Sequence, residues 1–183
     1  MSKHARVAAF VKTLEEQAGY FHPCYEGYFQ CFNAGDYYEA HDVLEHLWLD
    51  CRDANHLYFK GLIQIAGAFV HLKKQHARPH HPTDGRRLFP AVRLFSLGLA
   101  NVEPFGPHHL GLDILAVCTM CLEWKARIEE SNFSVNPWRP GRAAIGAALR
   151  LGLNIIEPVS VHALTFFKRI IDIHSRFLFI FSE

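Results

Sequence analysis

Apolar residues recur every three to four positions through most of the chain, a spacing typical of amphipathic α-helices. The sequence contains no run of alternating apolar and polar residues bounded by hairpin turns, so strands are not expected. The pattern predicts an all-α fold, a multi-helical bundle built around an antiparallel helix hairpin over about 36–51 and 56–76. The second helix of this hairpin is apolar nearly all round, as expected for a helix in the middle of a bundle.

Turn and capping residues define the predicted ends of the helices. Pro23 opens a helix that ends at Gly35, a residue that suits a left-handed C-terminal cap. Asp36 and Glu39, three residues apart, form a capping-box-like start for the next helix. Pro90 lies in the first turns of a later helix or at a kink in it. Together these signals predict six helices, over about 3–17, 23–35, 37–50, 56–75, 86–100 and 110–130.

The length and composition fit one globular unit. The chain has 183 residues, half of them hydrophobic, which is enough for a core without metal or disulfide support. We therefore expect a single α-helical domain over 1–183. The tail 143–183 is apolar with uncertain structure, and a helix over 161–181 would present an apolar face that a homodimer contact could cover.

The charge and the cysteine content bear on which partners the protein binds and on its cellular compartment. The formal net charge is +1 and 20% of the residues are charged, so no strong field points to nucleic acid or to an anionic membrane. No apolar stretch reaches the roughly 20 residues that a membrane span needs. The five cysteines are irregularly spaced and the N-terminal residues lack a secretory pattern. We expect a cytoplasmic protein with no nucleic-acid or membrane partner.

Two polar residues stand on the face that the helix over 37–50 should bury. His41 and Glu45 are four positions apart and therefore lie on one side of the helix, together with Tyr37, Leu44 and Trp48. A hairpin turn centred near Asp53 would place residues at equal steps from it opposite each other. This pairing predicts three sets of neighbours: Trp48 with Tyr58, Glu45 with Gly61, and His41 with Gln64 and Ile65.

Two interpretations of this cluster remain open. In the first, His41, Glu45 and Gln64 form a hydrogen-bonded network that only fixes the register of the hairpin, since buried polar groups are usually paired. In the second, the cluster lines a small-molecule pocket of a hydrolase-like enzyme. There Glu45 is the general acid or base, His41 its proton partner, Gln64 positions substrate or water, and Trp48 forms an apolar wall. Further candidate pocket residues are Glu39 and His71.

Metal binding is the third use to consider for these residues. A histidine and a carboxylate one helical turn apart can chelate one ion, but a third ligand is missing from the sequence pattern. Gln64 is a poor ligand, and His71 falls roughly 10 Å further along the helix axis at 1.5 Å per residue. Cys118 and Cys121 form a lone CxxC pair, which favours two core-facing thiols. We therefore expect no bound metal and no cofactor.

Several segments resemble a known helical family. The segments are FNAGDYYEAHDVLEHLW, FKGLIQIAGAFVHLKK, HLGLDILAV and NPWRPGR, within about residues 28–142. They resemble the bacterial and archaeal domain of unknown function 309, whose hallmarks are EAHxxLExxW and a GLIQ segment that ends in histidine. The resemblance implies a compact all-α bundle and no particular activity. It also implies that the matching positions cluster between two helices, namely Glu39, His41, Glu45, Trp48, Gln64 and His71.

Overall fold

A computed structural model describes residues 9–13 and 21–140 of the chain. The described part is all-α, as predicted, with residues 9–13 helical and five longer helices. The predicted tail 143–183 lies outside the described residues, and the single domain over 1–183 stays a prediction. The longer helices are α1 (Pro23–Ala34), α2 (Tyr37–Asp50), α3 (Asn55–Ala77), α4 (Leu88–Val102) and α5 (Ile114–Glu130).

The junction between α1 and α2 follows the capping signals only in part. Gly35 has a φ of 82° and is the left-handed C-cap of α1, as predicted. Its N–H donates to the carbonyl of Phe32, and the next N–H donates to that of Cys31. The prediction of a capping box at the start of α2 is wrong, because the side chain of Asp36 makes no capping hydrogen bond. That carboxylate instead lies 3.8 Å from the ammonium group of Lys73 on α3.

Helix α3 is the axis of the described bundle and packs against both α2 and α4. Leu62, Ile65 and Phe69 are fully buried along it. The α3–α4 crossing is close because two glycines meet there: a Cβ on Gly61 would lie 2.6 Å from Val102 Cγ1, and one on Gly98 only 2.7 Å from Ile65 Cγ1. In the described residues, no helix has the length and apolar character that a bilayer crossing requires.

A short β-hairpin stands where the sequence predicts the start of the last helix. Strands β1 (His108–His109) and β2 (Leu112–Asp113) pair antiparallel around a tight turn at Leu110 and Gly111. Both turn residues have positive φ, 44° and 73°, as a type I′ turn requires. Helix α5 therefore begins at Ile114 rather than Leu110, with the Asp113 carboxylate accepting from the Ala116 N–H at 2.9 Å.

The segment after α5 lies against the C-terminal half of α3. Residues 131–140 contain no helix or strand, as their turn residues predict. The side-chain amide of Asn136 donates to the carbonyl of Leu72 at 2.8 Å. Two residues on, the ring of Trp138 packs edge-on against His76, with centroids 5.1 Å apart. The segment thereby covers part of the C-terminal half of α3.

Candidate functional site

One face of α2 carries a row of polar and aromatic side chains. Tyr38, His41, Asp42 and Glu45 occupy positions i, i+3, i+4 and i+7, which share one side of a helix. We call these four residues the α2 stripe. Asp42 is almost fully buried, with 5% of its side chain exposed, and the imidazole of His41 is 31% exposed. Glu45 is half-buried, so the stripe runs from solvent at Tyr38 into the packed part of the bundle.

Three potential ligand atoms converge in this stripe. His41 Nδ1 lies 3.2 Å from Asp42 Oδ1, at hydrogen-bonding distance. One nitrogen of His41 and one oxygen each of Asp42 and Glu45 all lie within 4.8 Å of one another. The expectation that a third ligand is missing is therefore wrong, because Asp42 supplies one. A cluster of this kind can transfer protons between its members or share a cation.

The sequence pattern of residues four apart pairs His41 with Glu45 and leaves out Asp42. The signal that could have found it is its position three residues before Glu45, which is also neighbour spacing on a helix. Its neighbours Val43 and Leu44 are fully buried, and Asp42 turns inward with them. This buried carboxylate has a hydrogen-bond partner in His41 Nδ1, 3.2 Å away.

Gln64 on α3 forms a hydrogen bond with a residue of α4. Its carbonyl oxygen accepts a hydrogen bond from the side-chain amide of Asn101 at 2.7 Å. Gly61, one turn earlier on α3, also faces α4, where an added Cβ would meet Val102 and Asn101. The predicted approach of Gly61 to Glu45 stays a prediction. The structure brings His41 and Glu45 together on α2 and gives Gln64 a partner on α4, and the predicted contact of Gln64 with His41 stays a prediction.

Trp48, the predicted apolar wall, packs against the first turn of α3. The centroids of its ring and the His56 ring lie 5.1 Å apart, with the ring planes inclined at 34°. Tyr58, its predicted neighbour, instead forms a hydrogen bond of 2.6 Å with Tyr25. The indole nitrogen of Trp48 is buried and has no hydrogen-bond partner among the described residues. Trp48 thus extends the α2 stripe by an aromatic ring beyond Glu45.

His71 lies in a different environment near the end of α3. Its pKa is lowered by burial first, and then by the positive charges of Arg87 and Lys74. Its Nδ1 is buried and makes no hydrogen bond within the part of the chain that the structure describes. These neighbours place His71 beside the loop that precedes α4, where Arg87 also contacts Asp84. Burial and the nearby positive charges therefore both disfavour the protonated imidazole.

A groove of about 360 Å³ opens between the start of α2 and the C-terminal half of α3. This volume lies at the small end of the range for ligand pockets. Glu39, a predicted pocket residue, lines the groove on the α2 side. We call it the α2–α3 groove, and its lining residues are Tyr38, Glu39, Val70, Lys73, Lys74, Ala77, Arg78 and Asp84.

One wall of the groove carries several cationic side chains, and the carboxylate of Asp84 in this wall is paired with two arginines. Arg87 donates to Asp84 at 2.8 Å, and this bond holds the pKa of the Asp84 carboxyl below its usual range. Arg78 contacts the other oxygen of Asp84 at 3.4 Å. Lys73 donates to the carbonyl of Gly35 at 3.0 Å, and the ammonium of Lys74 lies 5.9 Å from the centroid of the Tyr38 ring. Positive charge therefore slightly exceeds negative charge around the opening.

Tyr38 connects the groove to the α2 stripe. It lines the groove, and its ring lies nearly parallel to that of His41, with an interplanar angle of 11° and centroids 6.5 Å apart. Along the helix axis, Tyr38 and Glu45 are separated by roughly 10 Å at 1.5 Å per residue. The groove thus opens at the exposed end of the stripe, and the three ligand atoms lie further along the same face.

The two cysteines of the CxxC pair are core residues, as predicted. Cys118 and Cys121 are both buried in α5. Burial raises the pKa of Cys118 to about 12 and raises that of Cys121 as well. Thiols with such high pKa values are neither nucleophiles nor ready metal ligands at neutral pH. All five cysteines of the chain are free.

Comparison with known proteins finds a family model that matches part of the chain. Residues 25–81 match the family model described as domain of unknown function, DUF309. The matched range spans α1, α2 and α3, so the resemblance is confirmed there and includes both hallmark segments. It stops well short of residue 142, the predicted end of the family-like core. The comparisons with curated proteins and with solved structures returned no match.

Proposed function

We propose that this chain, a DUF309 protein over residues 25–81, is a small-molecule enzyme of hydrolase type. The α2–α3 groove receives the substrate, and the α2 stripe beside it carries the reacting groups His41 and Glu45. The observation that carries this proposal is the convergence of His41, Asp42 and Glu45 within 4.8 Å, next to a groove with which the stripe shares Tyr38. The five free cysteines support a reducing, cytoplasmic setting.

The roles follow from the contacts within the stripe. The carboxylate of Asp42 lies 3.2 Å from His41 Nδ1 and orients the imidazole, as carboxylates do in many proton-transfer sites. Glu45, one turn on, has a carboxylate oxygen within 4.8 Å of both partners, a separation that one bridging water molecule can span for proton transfer. The cationic residues around the groove, Lys74 and Arg78 among them, would attract the polar end of a substrate.

The alternative is a non-catalytic packing or oligomerisation module. One contact favours this reading for Gln64, which accepts from Asn101 at 2.7 Å and so joins α3 to α4. Gln64 would then specify helix packing while the α2 stripe performs the chemistry. If His41, Glu45 and Gln64 all had only a structural role, His41 and Glu45 would also have to stabilise the fold.

A hydrolysis assay with chromogenic substrates tests the proposal. We expect p-nitrophenyl acetate or p-nitrophenyl phosphate to be cleaved faster with the protein than without it. Glu45→Gln should reduce this rate by about 100-fold or more, because amides do not perform general acid–base catalysis. His41→Asn should cause a loss of the same order.

The matched control is Glu129→Gln, an exposed glutamate near the end of α5. This variant should keep the wild-type rate, because the residue lies on a different helix and away from the groove. Equal rates for the wild type, Glu45→Gln and Glu129→Gln would contradict the proposal. They would show that any hydrolysis arises elsewhere on the protein.

A further inference from the structure

We infer that His41, Asp42 and Glu45 form a binding site for one divalent transition-metal ion. The site consists of an imidazole nitrogen and two carboxylate oxygens contributed by two successive turns of α2. Metal binding itself requires no substrate. Only the catalytic consequence, an ion that activates water next to the groove, rests on the proposed function.

The distances between the ligand atoms are close to those of a metal site. A tetrahedral site with metal–ligand distances of about 2.1 Å holds its ligand atoms roughly 3.4 Å apart. The 3.2 Å between His41 Nδ1 and Asp42 Oδ1 already matches one edge of such a tetrahedron. All three ligand atoms lie within 4.8 Å of one another. Side-chain rotation therefore has to shorten the longest separation by no more than about 1.4 Å to reach the tetrahedral spacing.

The donor set selects the class of ion. Imidazole nitrogen suits zinc, iron and related transition ions, whereas calcium and magnesium take oxygen ligands. A site with one histidine and two carboxylates therefore favours Zn²⁺ or Mn²⁺ over Ca²⁺ or Mg²⁺. Three protein ligands also leave at least one position open for water, which is the arrangement of catalytic rather than structural metal sites.

The charge around the three residues also favours a cation. Asp42 is buried and Glu45 half-buried, so two carboxylates stand close together with little water around them. In the part of the chain that the structure describes, no lysine or arginine pairs with Glu45. A divalent ion could take one oxygen ligand from each of these two carboxylates.

Isothermal titration calorimetry on the full-length, chelator-treated protein tests the inference. ZnCl₂ and MnCl₂ are titrated in separate runs, and MgCl₂ and CaCl₂ serve as hard-ion comparisons. We expect one equivalent of Zn²⁺ or Mn²⁺ to bind, with much weaker binding of Mg²⁺ and Ca²⁺. Glu45→Gln and Asp42→Asn should each weaken this binding by at least about tenfold, a loss found even when residues behind the ligands are removed.

The control is His80→Ala, which removes an exposed histidine from the loop before α4. This variant should bind the ion as the wild type does. Circular dichroism establishes that each variant is folded, and the near-isosteric Glu45→Gln keeps the test informative if Asp42→Asn does not fold. No stoichiometric binding of Zn²⁺ or Mn²⁺ would overturn the inference. Binding that is equal in the wild type and in Glu45→Gln would also overturn it, since the ions would then sit on other histidines.

Calorimetry tests the metal site and the hydrolysis assay tests the proposed function, so either proposal can be contradicted without the other. If no ion binds while hydrolysis remains sensitive to Glu45→Gln, the metal site is wrong and the proposed function stands on proton transfer alone. If an ion binds at the three residues but no substrate is cleaved, the metal site is supported and the hydrolase proposal is not.

Discussion

The charge state of His71 depends on two features of its surroundings. Burial and the nearby positive charges of Arg87 and Lys74 lower its pKa in the folded protein. In the unfolded chain a histidine titrates at about 6.5. The unfolded state therefore binds more protons than the folded state below that pH, and the free energy of unfolding falls as the solution is acidified.

We predict that the free energy of unfolding depends less on pH when His71 is replaced. The free energy of unfolding of the wild type, measured by urea denaturation, should fall between pH 7.5 and pH 5.5, and His71→Gln should show a shallower fall. Part of the slope should remain, because burial also lowers the pKa of His109. His80→Gln, in the exposed loop, should keep the wild-type slope. An unchanged slope in His71→Gln would show that the imidazole titrates alike in both states.

For individual residues, the sequence predicts that His41 and Glu45 are neighbours, but it does not predict which residues of other helices they contact. Residues three and four apart on a helix are adjacent whatever surrounds them, so this part follows from periodicity alone. The partners depend on how far α3 is rotated about its axis. That rotation turns Gln64 towards Asn101 on α4, and no local pattern in the sequence reports it.

At the scale of elements, the contact between α3 and α4 is set by two glycines. A Cβ on Gly98 would lie 2.7 Å from Ile65 Cγ1 and 3.0 Å from the backbone oxygen of Gly61. The backbone cannot move away without separating the helices. Gly67, also on α3, is less confined, since its Cβ would meet only the flexible end of Leu94 at 3.2 Å.

We predict opposite outcomes for alanine at these two positions. Gly98→Ala should lower the free energy of unfolding by about 1 to 2 kcal/mol, because the cost of overpacking exceeds the gain in helix propensity. Gly67→Ala should leave stability unchanged or raise it by up to about 1 kcal/mol. Thermal and urea denaturation measure both. Equal shifts for the two variants would mean that α3 and α4 do not approach as closely as described.

The bounds of the helices were largely predictable, whereas the hairpin was not. Pro23 and Gly35 act through local backbone geometry, so the ends of α1 follow from the sequence. The strands of the hairpin have two residues each, too few to show alternation. The turn residue Leu110 adopts a φ of 44° that a side chain of this size seldom takes, so turn propensity also gives no signal there.

At the scale of the whole molecule, α3 holds α2 on one side and α4 on the other. The all-α class and the α2–α3 hairpin follow from periodicity, because α3 is apolar nearly all round and needs neighbours on several sides. The α2–α3 groove could not be predicted, since its lining joins the two helices to Arg78 and Asp84 in the following loop. That loop is positioned by tertiary contacts, including the hydrogen bond from the Arg87 N–H to Gln75.

The stability of Glu45→Gln tests most directly whether the α2 stripe is a functional site or a structural network. The free energy of unfolding is measured by urea denaturation with a chelator present, so that ion binding adds nothing to the wild type. We predict a value within about 0.5 kcal/mol of the wild type, as for substitutions outside a structural network. A loss of about 1 to 3 kcal/mol, the cost of an unsatisfied buried polar group, would contradict a functional role and support the packing module.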